Sequence, residues 1–294
     1  MFKDVQVPAG MLGTIFDGAS DVLPENFAEI EVYIPTYMGS NEVYEVIDSL
    51  PNLRYVLLLS AGVDKALPHI RPGVTLCNAR GVHDSSTAEL TLALALASYR
   101  NLANYIRANQ DCWSLREQEK TLYAANVAIV GAGSIGREVE KLFYAFGATC
   151  TLISRSGSDG SIRLVDAGDL LRASDIVVVV VPLTDATLNL VNAEFLAKLK
   201  DGALVINVAR GEVVDTQALF EELSTQRISA ALDVTNPEPL PTDHPLWQLE
   251  NCVITPHVGG VTHSFMPKAT SLIEGNLELI ASGEDPKFIV VGTY

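Results

Sequence analysis

The chain has 294 residues, enough for two domains, and its 48% hydrophobic and 19% charged content supports a sizeable core rather than disorder. A net charge of −16 excludes nonspecific binding to nucleic acid or to an anionic membrane, and an anionic ligand would need a local positive centre. The four cysteines, Cys77, Cys112, Cys150 and Cys252, form no C-x-x-C pair, which suits a reducing compartment such as the cytoplasm and leaves no metal site.

The opening Met-Phe-Lys-Asp-Val-Gln lacks the apolar core of a signal peptide. Residues 31–34 are a short candidate strand. Val43, Val46, Ile47 and Leu50 then share a helical face, and Pro51 stops it. A better strand over 55–59 runs into Ser60-Ala61-Gly62-Val63-Asp64. Such small residues let backbone N–H groups approach a ligand, and equally make a plain turn. A strand over 74–76 leads to Asn78-Ala79-Arg80-Gly81. A helix follows over 85–100, with Ser85 or Ser86 as N-cap. Its uncharged run 90–99 is too short to cross a bilayer and reads as a buried helix.

From 120 to 260, strand and helix alternate. Candidate strands are 127–130, 149–153, 175–181, 203–208, 229–234 and 252–255, and helices fall near 137–146, 168–173, 192–199 and 215–224. The strands are continuous apolar runs, as in a parallel sheet covered on both faces. The alternation predicts a doubly wound α/β sheet with ligands at the carboxyl ends of the strands. The first of these ends carries Gly131, Gly133 and Gly136 in a G-x-G-x-x-G spacing between strand and helix. That pattern suits a dinucleotide, its pyrophosphate against the backbone at Gly133 and the N–H groups of Ser134 and Ile135.

The second strand ends in Ser154-Arg155-Ser156, where an acidic residue would hold the ribose 2′-hydroxyl of NAD. An arginine between two hydroxyls suits a 2′-phosphate instead, so NADP is expected over NAD, with NAD still possible. The fourth strand ends at Asn207-Val208-Ala209-Arg210-Gly211, and Arg210 could grip a carboxylate or form a surface ion pair. The next two strand ends carry Asp233 with Glu238, and His257 with Gly259.

These stretches, with Val181-Pro182-Leu183-Thr184, Thr187 and His244-Pro245-Leu246-Trp247, resemble the D-isomer-specific 2-hydroxyacid dehydrogenase family over nearly the full length. The resemblance implies two Rossmann-like doubly wound parallel-sheet domains, with the cofactor domain (98–267) inserted into a flavodoxin-like substrate domain (1–97 completed by 268–294). A helix over 271–280 would cross back, residues 288–291 would close the first domain, and substrate would bind in the cleft. By the resemblance Arg210 binds the substrate carboxylate, Glu238 pairs with the acid/base His257, and the amides of Ala61 and Gly62 clamp the carboxylate. Glu238 beside His257 would favour the imidazolium. Val181, Pro182, Thr187, Val208, Ala209 and Gly259 would line the cofactor, and Asp233 would orient the nicotinamide amide.

The expected activity is hydride transfer between NADPH and C2 of a small 2-oxo acid such as glyoxylate or hydroxypyruvate, by a cytoplasmic homodimer. The alternatives are a short phosphoglycerate dehydrogenase-like enzyme and a non-catalytic NAD(P)-sensing protein on the same fold. A methyltransferase would not need the Arg210, Glu238 and His257 set, and a formate dehydrogenase would carry an amide at Glu238. Arg80 departs from the family pattern, either as an anion contact for a phosphorylated or acidic substrate or as part of a salt bridge, and His83 reads as structural.

Overall fold

Three short parallel strands, β1 (Val32–Tyr33), β2 (Tyr55–Leu57) and β3 (Thr75–Cys77), lie side by side in that order. They belong to the first of two units in the structure, a computed structural model that describes residues 5–16 and 23–291. The first unit is Met1–His83 with His263–Tyr294, and the second is Asp84–Thr262.

Side chains alternate across a strand, so successive residues supply opposite faces. Val56, Leu58 and Leu76 pack with Tyr33, Ile47 and Leu50 on one face. Leu57, Leu59 and Cys77 pack on the other, against Ala269, Ile273 and Leu277 of the helix Phe265–Ser282. That helix starts well before 271, because Pro267 stands in its first turn, where the missing N–H has no intrahelical partner to lose. The helical face read over 43–50 is an α-turn, Glu42–Glu45, followed by a 3₁₀ turn, Val46–Ser49. Ile289 bridges antiparallel to Cys77, and the Val290 N–H donates to the Leu76 carbonyl at 2.8 Å.

The second unit holds seven parallel strands: β4 (Asn126–Val130), β5 (Thr149–Ser154), β6 (Ile162–Arg163), β7 (Ile176–Val179), β8 (Leu204–Asn207), β9 (Ser229–Leu232) and β10 (Cys252–Ile254). Their order, β10-β9-β8-β7-β4-β5-β6, winds outward in both directions from the β4–β7 pair. Ala128, Val130, Val177, Val179, Val205 and Ala230 face one core, under the helices Gly168–Ala173, Ala193–Ala197 and Thr216–Ser224. Val127, Ile129, Ile176, Val178, Leu204 and Ile206 face the other.

The helix Asp84–Tyr99 moves the expected domain boundary. Its Ala88, Leu94, Ala95 and Tyr99 share the second core with Val139 and Phe143 of the helix Ser134–Ala145. The division therefore falls after His83 rather than after 97, and after Thr262 rather than after 267. A helix apolar on all sides reveals that it is buried but not which sheet buries it.

Candidate active site

The glycine loop sits where the strand order reverses, between β4 and β7. Gly131 has φ +128°, and a Cβ there would lie 2.3 Å from the Val180 carbonyl oxygen, so a side chain would force the two strand ends apart. A Cβ on Gly136 would lie 2.0 Å from the Gly131 carbonyl oxygen. Around Gly133, in contrast, nothing lies within 4 Å of an added Cβ. The helix Ser134–Ala145 begins immediately after it, earlier than the expected 137, and no side chain caps it. Its first N–H groups, at Ser134 and Ile135, are left for an anion beside Gly133.

The tip of β5 is a tight serine turn. Ser154 Oγ accepts the Gly157 N–H at 2.9 Å and lies 2.7 Å from Ser161 Oγ, so this hydroxyl is engaged in shaping the loop. Arg155 and Ser156 are exposed on it. Among the described residues no carboxylate pairs with Arg155. Arg137, in the first turn of the glycine-loop helix, donates to the Asp159 carbonyl at 3.0 Å and ties this loop to that helix.

Side-chain staples hold the next two loops. Thr187 Oγ1 donates to the Pro182 carbonyl at 2.6 Å and accepts the Thr184 N–H at 2.8 Å, folding the segment after β7 on itself. Thr187 thus shapes the loop in which Val181 and Pro182 stand. After β8, Asn207 accepts the Ala209 N–H at 3.0 Å and donates to the Arg210 carbonyl at 2.9 Å. Val208 and Ala209 are buried by this turn, and Arg210 Nη1 donates to the Ala209 carbonyl at 2.8 Å. Asn207, not singled out in the sequence, is the residue that sets where Arg210 leaves the sheet.

At the ends of β9 and β10 three expected residues meet. Asp233 is buried, at 3% exposure. Its Oδ1 accepts from Thr255 Oγ1 at 2.6 Å and the Val258 N–H at 2.9 Å, and its Oδ2 accepts the Gly259 N–H at 2.9 Å. It therefore locks the 255–259 loop, a role the sequence did not indicate. Within that loop His257 takes φ +52°, with its N–H shared between the carbonyls of Asp233 at 2.7 Å and Thr255 at 3.0 Å. Few non-glycine residues adopt this conformation, and where they do the surroundings fix it. It brings His257 Nδ1 to 2.7 Å from Glu238 Oε1. A carboxylate only accepts, so Nδ1 carries the hydrogen and Nε2 is the nitrogen left to exchange a proton with a ligand. Both side chains are part-exposed, His257 at 29% and Glu238 at 40%.

In the first unit, the loops after β2 and β3 are bolted together. The Asn78 amide donates to the Ala61 carbonyl at 3.1 Å, and the Ala79 N–H donates to the Ser60 carbonyl at 2.8 Å. The N–H groups of Ala61 and Gly62 find no acceptor among the described residues. His83 is buried, with Nε2 2.7 Å from the Leu59 carbonyl and its ring stacked on Tyr37 and Phe265, which is a structural role. Burial pushes the Cys77 thiol up to about 11 and the Cys252 thiol up to about 12, so both are core thiols rather than nucleophiles. No cluster of metal-binding side chains occurs among the described residues, and none of their helices is long and apolar enough to cross a membrane.

Residues 92–259 match the family model of the D-isomer specific 2-hydroxyacid dehydrogenase NAD-binding domain. The human glyoxylate reductase/hydroxypyruvate reductase is 34% identical over 247 residues, 79% of this chain and 75% of the relative. The hydroxypyruvate reductase of Thermotoga maritima is 32% identical over 252 residues, covering 82% of each. Among solved structures, the D-isomer specific 2-hydroxyacid dehydrogenase from Xanthobacter autotrophicus Py2, in complex with NADPH and MES, superimposes with a TM-score of 0.78. It is 30% identical, and the match covers 91% of this chain and 86% of that one.

Proposed function

This chain belongs to the D-isomer specific 2-hydroxyacid dehydrogenase family, and we propose that it is an NADPH-preferring reductase of small 2-oxo acids of the glyoxylate/hydroxypyruvate kind. The observation that carries the reading is the 2.7 Å contact of His257 Nδ1 with Glu238 at the ends of β10 and β9, beside the β8 end that carries Arg210. The glycine loop fits a dinucleotide: the space beside Gly133 is open, and the helix start next to it has no side-chain cap. When bound, the nicotinamide supplies the hydride.

The chain's own residues do the rest. The N–H groups of Ser134 and Ile135, beside Gly133, hold the pyrophosphate. Val181, Pro182, Val208, Ala209 and Gly259 line the nicotinamide side, and Asp233 holds the 255–259 loop in place beside it. Arg210 holds the substrate carboxylate and stabilises negative charge developing on the carbonyl oxygen. His257 delivers the proton to that oxygen from Nε2, and Glu238 holds the ring in the tautomer that makes this possible. In the first unit, the Ala61 and Gly62 N–H groups are offered to a carboxylate.

Arg155 and Ser156, exposed at the β5 tip, support the preference for NADP. Arg155→Ala is expected to raise the Kd for NADPH about 10- to 100-fold, the range of a charge-assisted contact, while the NADH value moves less than about threefold. Fluorescence titration with both cofactors checks this, and equal losses for the two would remove Arg155 from the 2′-phosphate site.

The reading extends to a homodimer in a reducing compartment, the cytoplasm. All four cysteines are free. The segment over 102–115 exposes four large apolar side chains close together in the sequence, Leu102, Ile106, Trp113 and Leu115, with Ile106 at 77% and Trp113 at 81%, which supports a protein contact there. Trp113→Glu should shift the chain toward the monomer in sedimentation or light scattering. A wild-type chain that is monomeric at micromolar concentration would contradict the dimer.

A further inference from the structure

We infer that Arg80 is a specificity-determining residue that selects, among 2-oxo acids, those carrying a second anionic group, a carboxylate or a phosphate. The inference rests on the reading that Ala61 and Gly62 receive the substrate carboxylate.

Arg80 follows β3 at its carboxyl end, the edge at which parallel sheets hold ligands. Its own N–H donates to Asn78 Oδ1 at 3.3 Å, and the same Asn78 side chain donates through its amide to the Ala61 carbonyl at 3.1 Å. One side chain thus fixes both the loop that offers two N–H groups to an anion and the backbone from which the Arg80 side chain springs. A backbone N–H pair and an arginine whose backbone is tied to the same loop, on neighbouring strand ends, suit a ligand with two anionic groups.

The charge distribution carries the same conclusion. The chain has 36 acidic and 20 basic residues, so its overall field opposes the approach of a dianion. Yet Arg80 is exposed and, among the described residues, forms no ion pair. Exposed arginines elsewhere in this acidic chain divide: Arg54, Arg163 and Arg172 pair with Glu31, Asp166 and Asp169, while Arg100, Arg116 and Arg155 take no carboxylate among the described residues. It is the place of Arg80 at the β3 end that sets it apart. An exposed arginine whose backbone is linked through Asn78 to the Ala61 loop supplies locally what the net charge denies.

The test compares wild type with Arg80→Gln, using NADPH and two sets of 2-oxo acids. Oxaloacetate, 2-oxoglutarate and phosphohydroxypyruvate carry the second anionic group, and glyoxylate, hydroxypyruvate and 2-oxobutyrate lack it. The expected result is a fall in kcat/KM of about 10- to 100-fold for one or more members of the first set. The second set should change less than about threefold. The phosphate and carboxylate arms report which group is read. Equal effects on both sets, or no effect on either, overturn the role of Arg80.

Thermal shifts with malate against lactate, in the presence of NADP, provide a readout independent of turnover. The extra stabilisation by malate should be present in wild type and absent in Arg80→Gln. If no 2-oxo acid is reduced, the proposed activity fails while this shift still decides Arg80. If turnover is normal and malate stabilises both proteins alike, the inference about Arg80 fails alone.

Discussion

His257→Asn is expected to lower kcat for 2-oxo acid reduction by about 10²- to 10⁴-fold, the usual contribution of a positioned acid/base group. The affinity for NADPH should stay within about threefold, since no proton moves when cofactor binds. Asparagine is the informative replacement. His257 occupies φ +52°, a region asparagine tolerates and alanine does not, so alanine would add roughly 1–2 kcal/mol of backbone strain to the loss of the ring. The hydrogen bonds that fix this loop, from the N–H groups of 257, 258 and 259 to Asp233, use the backbone and survive the change.

Glu238→Gln should do less damage than His257→Asn. An amide oxygen at the same place still accepts from Nδ1 across the 2.7 Å contact, but it lacks the charge that stabilises a protonated ring. Steady-state kinetics beside cofactor titration separates these outcomes. A His257→Asn protein whose kcat stays within threefold of wild type, or whose NADPH affinity falls in step with its activity, would remove His257 from the proton transfer.

Much of this site could be read from the chain because buried parallel strands leave a plain signal. The runs that became β4, β7 and β8 are apolar apart from Asn126 at the start of β4 and Asn207 at the end of β8, since both faces of the sheet are covered, and the chemistry-bearing residues follow directly at their ends. Strand β6 left no such signal: it is two residues long and both are exposed. The glycine-loop helix starts earlier than its apolar periodicity suggests because Gly136 sits inside its first turn, where close packing rather than propensity decides.

What the sequence hid was the set of side chains that hold the loops. Asn207, Asn78 and Asp233 act through bonds to backbone groups distant along the chain or folded back on it, and no spacing rule announces such partners. Asp233 shows the limit most clearly. Its expected duty faced the cofactor, yet its carboxylate already takes three donors from residues 22 to 26 positions away.

Gly211→Ala is expected to lower kcat/KM by about 10²-fold or more without altering any group that touches substrate. A Cβ on Gly211 would lie 1.9 Å from the Thr235 carbonyl oxygen, 2.1 Å from its carbon and 2.7 Å from the Asn236 nitrogen. All three atoms are backbone, so none can swing aside as a side chain does. The loops after β8 and β9 must then separate, one carrying Arg210 and the other Glu238. Overpacking of this kind costs about 1–3 kcal/mol, and a displacement near 1 Å in a reacting constellation costs about 10² in rate.

Gly133→Ala is the matched control, because nothing lies within 4 Å of its Cβ. It should melt like wild type and lose cofactor affinity alone, its methyl group filling the space meant for the pyrophosphate. Circular-dichroism melts with steady-state kinetics on both variants test the pair. The expected pattern is a lowered midpoint with collapsed turnover for Gly211→Ala, against an unchanged midpoint with weakened NADPH binding for Gly133→Ala. Wild-type kcat/KM in Gly211→Ala would mean that the Arg210 and Glu238 loops need not be held in register for catalysis.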